Sequence, residues 1–394
     1  MIKVDQEKIN EILNRGVEEI FEKENLLKKL QSGKQLRIKH GIDPTGPKIH
    51  IGRAMQFWKL KEFQDLGHKI VLIIGDFTAQ IGDASDKDAM RKVLTEKEIK
   101  ENMKDYVKQI GKILDLKKVE LHYNSEWHKK MKSAELLRLA MIFTAQQTIQ
   151  RRNFKERWES GKPIGLHELS YPLLQGYDSV AVKADVETGG TDQLFNLQSG
   201  REIQKHFGQK PQDIITLKML NGLDGRKMST SWGNMITILD EPHNMYGKIM
   251  SMSDNLISEY FELCTKLNNK EIAEIKKMPN PRDQKAVLAK EIVKMYYSEK
   301  VAIEAAENFD KIFRQHELPS KIEIFETDKK IYPVLDLLFD SKLAESKNEA
   351  KRLVEGGGVQ IDKEKIEDWK KGVELKDGMV MQVGKRRFIK IKIK

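Results

Sequence analysis

The sequence predicts an α/β protein: a doubly wound, parallel-sheet domain, then an α-helical region, then a small α+β module. Three observations carry this reading. Nearly all-apolar, strand-sized runs such as KIVLIIGDF alternate with helix-length patterns through the first two-thirds of the chain, as in parallel sheets covered on both faces. Strand-like runs then stop between about Asp240 and His316. The final 65 residues are short-patterned, punctuated by glycine and basic.

Each element follows from its residues. Ile9, Ile12, Leu13, Val17 and Ile20 recur at helical spacing, so the first 25 residues read as one amphipathic helix. RIKHGI is a short strand, DPTGPKIHIG a turn-rich loop, and RAMQFWKLKEFQDLG a helix stopped by Gly67. KIVLIIGDF is the next strand. A helix is expected near 95–114, a strand at VELHYN, helices near 132–159 and 166–177, a strand near Val180, a helix from Thr191 and a strand at DIITLKM. In such sheets ligands sit beyond the carboxyl ends of the strands, which singles out GIDPTGPKIHIG and IGDFTAQIGD. MPNPRDQKAVLAKEIVKMYY and EKVAIEAAENFDKIF read as consecutive helices, ELPSKIEIFETDKK as a linker, and GMVMQVGKRRFIKIKIK as closing strand material. The expected boundaries are 1–225 for the α/β domain, 226–320 for the helical domain, 321–332 for the linker and 333–394 for the last module.

Composition excludes several classes. With 394 residues, 39% hydrophobic and 33% charged, the chain is long and apolar enough for real cores. The single cysteine, Cys264, leaves no disulfide framework and no cysteine-based zinc site. No apolar run approaches a membrane span, and the N-terminus reads as neither signal nor transit peptide. A soluble, cytoplasmic protein with no membrane partner is expected. The net charge is +10. Residues 330–394 hold sixteen Lys/Arg against eleven Asp/Glu, so about half the excess lies in the last module. A polyanionic partner and a lysine-rich surface both fit that excess.

Two loops carry candidate chemistry. Asp43-Pro44-Thr45-Gly46-Pro47-Lys48-Ile49-His50-Ile51-Gly52 runs from a strand into a helix N-terminus, whose free N–H groups favour phosphate. Thr45 and His50 add donors, and Gly52 allows a flat ring or ribose to approach the backbone. Lys227-Met228-Ser229-Thr230-Ser231 combines a lysine with three hydroxyls between Gly225 and Gly233, a composition suited to closing over a polyphosphate. Alone, each loop is also compatible with an ordinary connection. A third pattern is Tyr171, Gln175 and Asp178, spaced to share one helix face.

HIG followed by KMSTS resembles the paired signature of class I aminoacyl-tRNA synthetases. The blocks GIDPTGPKIHIG, IGDFTAQIGD, YPLLQGYDSV and GGTDQLFN resemble the bacterial tyrosyl-tRNA synthetases, and the likeness runs in order along nearly the whole chain. It implies a Rossmann-like, HUP-type catalytic domain and a tyrosine–tRNA ligase that forms tyrosyl-adenylate from tyrosine and ATP, then charges tRNA(Tyr). It also implies a homodimer joined through residues near 132–165, including Met141, Ile142 and Phe143. Mg2+ would arrive bound to the phosphates of ATP, with no protein-held metal.

Residue by residue, the resemblance places Thr45, His50, Lys227, Lys87 and Arg91 at the reacting phosphates. Gly41, Asp43, His50, Gly52, Arg53, Gly190, Asp192, Lys227, Met228, Ser229, Thr230 and Ser231 would hold ATP, with Asp192 on the ribose. Lys39, Asp83, Tyr171, Gln175, Asp178 and Gln193 would hold tyrosine. Tyr171, Gln175 and Asp83 would take its ammonium and Asp178 its phenolic hydroxyl. A buried acceptor for that hydroxyl disfavours phenylalanine, which would leave it unpaired.

Three departures stand out. Arg53 occupies the last histidine of the first signature, and Thr230 the second lysine of the other, with Arg226 the candidate to compensate. Lys39 stands where many family members carry a tyrosine, and either bonds the phenol or points elsewhere.

The C-terminal run from Ser346 through Gly356–Gly358 to Asp362 resembles the small RNA-binding domain named after ribosomal small-subunit protein four. Lys351, Arg352, Arg386 and Arg387 would meet phosphates, and KRRFIKIKIK alternates as a half-buried strand. A tryptophanyl enzyme and a non-catalytic RNA-binding paralogue remain as alternatives.

Overall fold

The computed structural model describes residues 2–83, 94–228, 232–314, 322–384 and 387–393. The chain divides into two compact units, Met1–Asp240 with Met252–Pro281, and Glu241–Ser251 with Arg282–Lys394.

The first unit is built on six strands: β1 (Val17–Phe21), β2 (Arg37–Ile42), β3 (Lys69–Ile74), β4 (Val119–Tyr123), β5 (Val186–Gly190) and β6 (Asp213–Leu217). Their order is β1-β6-β5-β2-β3-β4, parallel throughout except β1. β3 and β6 are buried at nearly every position, which explains their lack of polar alternation. The order in which strands are added reverses between β2 and β5, with β3 and β4 laid to one side and β6 to the other, the topological switch point where ligand crevices form. Those two strands pair only at Ile38–Val186 and Lys39–Glu187. Their carboxyl-terminal loops, 43–50 and 191–193, therefore flank an opening.

Four elements differ from expectation. The N-terminal helix ends at Asn14, because Gly16 takes φ +63° and turns the chain. Val17 and Ile20 then lie in β1, which runs antiparallel to β6. The helix near 95–114 is two short ones, Glu96–Met103 and Tyr106–Ile110. The 132–159 stretch is likewise three, Ser133–Ala140, Ala145–Ile149 and Arg152–Glu159. Val180 is not in a strand. The Leu166–Val182 helix continues through it, because Val180 packs with Leu139 and with Ile203 of the following helix, Leu194–His206.

In the second unit, the Pro242–Met250 and Glu299–Arg314 helices meet, with the Tyr246 and Phe309 rings 5.4 Å apart. The expected linker contains strands instead. β7 (Glu323–Thr327) lies parallel to the chain's last strand, β13 (Arg387–Ile393), and β8 (Ile331–Pro333) pairs with β11 (Gly372–Glu374). Phe325 joins the core of this module, so its boundary lies before 323. β9 (Val359–Ile361), β10 (Glu364–Lys365) and β12 (Val380–Val383) complete the sheet β10-β9-β12-β13-β7. Ile389 and Ile391 are buried while Lys390 and Lys392 are exposed, the alternation expected of KRRFIKIKIK.

Candidate active site

The crevice at the switch point is lined by Gly41, Asp43, Thr45 and Arg53 from one side and by Gly189, Gly190, Asp192 and Gln193 from the other. Tyr171, Gln175 and Asp178 face it from the Leu166–Val182 helix, with Asp83, Thr78 and Asn124 completing the wall. Their seven-residue span is two helical turns, which is why one helix delivers a phenol, an amide and a carboxylate to one cavity.

The deep end is organised around Asp178. Its Oδ1 accepts from Trp127 Nε1 and His128 Nε2, each at 2.8 Å, and its Oδ2 accepts from Asn124 Nδ2 at 3.3 Å. Asn124 also donates to Thr78 Oγ1 at 2.9 Å, and Thr78 donates to Asp43 Oδ1 at 2.8 Å. Asp43 Oδ2 accepts from the Tyr171 hydroxyl at 3.0 Å. Burial, together with the negative charges of Asp43 and Asp83, pushes the Tyr171 phenol well above its ordinary range. It stays protonated, and its oxygen keeps lone pairs for a cation. Asp83 accepts from Arg151 Nη2 at 2.9 Å and Gln193 Nε2 at 2.7 Å.

The shallow end faces the Ile51–Asp65 helix. His50 caps it, its Nδ1 accepting from the Arg53 backbone at 3.3 Å. Burial, with the nearby Arg53 guanidinium, lowers the His50 pKa to about 3. The imidazole is therefore neutral near pH 7, and the proton sits on Nε2, a donor of the kind phosphate oxygens need. Arg53 Nη2 donates to Thr45 Oγ1 at 2.8 Å and Nη1 to Tyr106 at 2.8 Å. The guanidinium at this departure thus fixes the Thr45 hydroxyl.

Backbone bonds from Ile51 N to Ile236 O and Ile238 N to Ile49 O tie residues 236–238, just after the second signature, to the helix start. Met228 Sδ would lie 3.3 Å from a Cβ placed on Gly52, so the two signatures approach each other there. Lys227 is exposed and bridged to Asn221. Arg226 pairs with Asp224 and stacks 4.5 Å over Trp232, which engages the charge expected to compensate for Thr230. Lys87, Arg91, Ser229, Thr230, Ser231 and Arg386 lie outside the described residues.

Lys39 does not line the crevice. Its Nζ sits 2.8 Å from Glu187 Oε1. Of the other residues expected to bind RNA, Lys351 rests 4.6 Å over the Trp369 ring, Arg352 is exposed, and Arg387 Nη1 is turned onto the Leu343 carbonyl at 2.6 Å. Sequence reading missed Thr78, Asn124, Trp127 and His128. Thr78 and Asn124 follow the carboxyl ends of β3 and β4, and that position in a parallel sheet was the available signal.

The family model described as tRNA synthetases class I (W and Y) matches residues 31–314. The chain belongs to that family. The S4 domain model matches residues 333–377 of the synthetase. The curated tyrosine–tRNA ligase of Thermotoga maritima is 46% identical over 96% of each chain, and that of Carboxydothermus hydrogenoformans 46% identical over 97% of each. Among solved structures, tyrosyl-tRNA synthetase of Archaeoglobus fulgidus complexed with L-tyrosine aligns with TM-score 0.62 and 24% identity. It covers 77% of this synthetase and 100% of that chain. The C-terminally truncated mitochondrial enzyme of Aspergillus nidulans gives 0.63 and 22%, covering 78% and 93%. At those identities the structures speak for the fold. Among the described residues, no helix of the synthetase is long and apolar enough to cross a membrane.

Proposed function

We propose that this synthetase is a tyrosine–tRNA ligase that activates tyrosine with ATP and transfers it to the terminal ribose of tRNA(Tyr). The observation that carries the tyrosine assignment is Asp178, a carboxylate at the crevice floor held by Trp127, His128 and Asn124. A phenolic hydroxyl arriving there meets a fixed acceptor, which the side chain of phenylalanine would leave unpaired. The near-full-length relatives carry the same activity in their names.

In this reading the substrate ammonium rests among the Tyr171 oxygen, Gln175 Oε1 and Asp83. Its carboxylate attacks the α-phosphate of ATP, forming an oxygen–phosphorus bond as pyrophosphate leaves with the electrons of the broken one. No covalent enzyme intermediate is needed. Thr45 and His50 Nε2 donate to phosphate oxygens, and Lys227 neutralises the departing pyrophosphate. Asp192 and the glycine backbone at Gly41 and Gly190 receive the ribose. Magnesium belongs to the substrate, as MgATP.

The C-terminal unit supplies an RNA-binding face through Lys351 and Arg352. A homodimer is supported by exposed apolar side chains in and beside 132–165: Met141 and Leu166 are each 83% exposed and Leu137 67%. Ile142 and Phe143 instead pack inward beside Leu139. Met141→Glu with Leu137→Glu should halve the mass seen by light scattering; an unchanged mass removes this surface from the interface.

Pyrophosphate exchange with each of the twenty amino acids tests the assignment. Exchange with tyrosine alone is expected, and exchange with tryptophan instead, or with none, overturns it.

A further inference from the structure

Beneath the crevice two charged side chains are buried outright. Lys39 and Glu187 are register partners across β2 and β5, at 0% and 1% exposure, in the last pair before the strands part. A buried ion pair recovers its desolvation cost only with good geometry and further hydrogen bonds, and often stabilises less than apolar packing would. Stability alone is a poor reason for it.

The hydrogen bonds suggest another reason. Lys39 Nζ donates to Glu187 Oε1 at 2.8 Å, Ser179 Oγ at 2.7 Å and the Gln175 carbonyl at 2.9 Å. Glu187 also accepts from Ser179 Oγ at 3.0 Å, from Gln212 Nε2, and from Gln175 Nε2 at 3.3 Å. A carboxylate only accepts, so Gln175 must turn its NH2 to Glu187 and its oxygen away. That oxygen accepts from Asn196 Nδ2 at 2.9 Å, and a carbonyl has a second lone pair. Asn196 Nδ2 also donates to Gln193 Oε1 at 3.0 Å, and Gln193 Nε2 donates to Asp83 at 2.7 Å. One relay thus decides which end of each amide is oxygen.

We propose that the Lys39–Glu187 pair is a positioning element that sets the hydrogen-bond polarity of the ammonium subsite, making Gln175 present oxygen to the amino group of the substrate. Glu187 imposes the direction, and Lys39 supplies the countercharge that keeps a carboxylate in a buried place. The inference rests on the tyrosine-ligase reading above. It explains what a lysine does at the third departure of the sequence: it acts on the ammonium end of the substrate through Gln175.

The test is Glu187→Gln, an isostere able to offer either oxygen or NH2, so that Gln175 loses its enforced orientation. Equilibrium binding is measured for tyrosine, for 3-(4-hydroxyphenyl)propanoate, which lacks the ammonium, and for ATP. The expected result is tyrosine binding weakened about tenfold or more, with the other two ligands within about twofold. Because Glu187→Gln leaves Lys39 unpaired, the double variant Lys39→Met with Glu187→Gln is measured alongside and should show the same selectivity. Equal weakening of tyrosine and its desamino analogue, unchanged tyrosine binding, or failure of both variants to fold each overturns the proposal. If the unsubstituted protein itself fails to bind tyrosine, the ligase reading falls instead.

Discussion

Asp178→Asn isolates the phenol contact from everything else in the crevice. The two donors on Oδ1, Trp127 Nε1 and His128 Nε2 at 2.8 Å, require an acceptor at that position. The asparagine must therefore place its carbonyl there and its NH2 where Oδ2 was. That NH2 faces Asn124 Nδ2, whose 3.3 Å contact becomes donor against donor, and it no longer accepts from a phenolic hydroxyl. Losing a hydrogen bond to a charged acceptor costs about 1.5–3 kcal/mol. At 1.4 kcal/mol per tenfold, tyrosine binding should weaken roughly 10- to 150-fold. ATP binding should change less than about twofold, since the ribose and phosphate contacts proposed above lie at Gly190, Asp192 and His50. Tyrosine and ATP affinities are read separately by equilibrium dialysis, and discrimination by exchange with phenylalanine. Tyrosine use should fall while phenylalanine use holds or rises. An equal loss for tyrosine and ATP, or an unchanged tyrosine affinity, refutes the phenol assignment.

Three further outcomes are expected. Burial holds His40 and His68 near pKa 4 and His50 near 3, against an ordinary 6.5, so the unfolded chain binds more protons than the folded one between those values. Stability of the first unit should therefore fall as pH drops from about 6.5 towards 4, with these three side chains together taking up about three protons on unfolding near pH 5; melting with no proton uptake there contradicts their burial. Lys227→Ala should slow adenylate formation in rapid-mixing fluorescence while leaving the tyrosine dissociation constant nearly unchanged. A chain ending after Arg314, clear of β7, should retain tyrosine-dependent exchange and lose tRNA charging; intact charging removes the RNA role of the last module.

Periodicity made the doubly wound sheet readable because buried parallel strands leave continuous apolar runs, as at Ile70–Ile74. It failed where tertiary pairing overrides local pattern. Val17 and Ile20 satisfy a helical spacing, yet Gly16 breaks the helix and β6 offers a free edge. EIFET looked like a linker because its partner, β13, lies more than sixty residues later. The site was legible where one element carries several members, as with Tyr171, Gln175 and Asp178. Trp127 and His128 were not, since each bonds to Asp178 from another element across fifty residues. Lys39 was visible as a departure, but its partner Glu187 becomes apparent only once β2 and β5 are in register.

The antiparallel strand β1 bears on how the protein is made. Residues Val17–Phe21 leave the ribosome well before their partners, Ile214–Leu217, which emerge nearly two hundred residues later. Until then β1 has no neighbour, and β6 on arrival has an open edge, although its side chains are destined to be buried at every position. Long-range strand pairing is slow, and an uncovered apolar edge is a template for other chains. The first twenty residues thus work as a built-in guard for the last strand of the sheet. A shortened catalytic fragment starting at residue 31, where the family match begins, would be made without that guard and with β6 permanently uncovered.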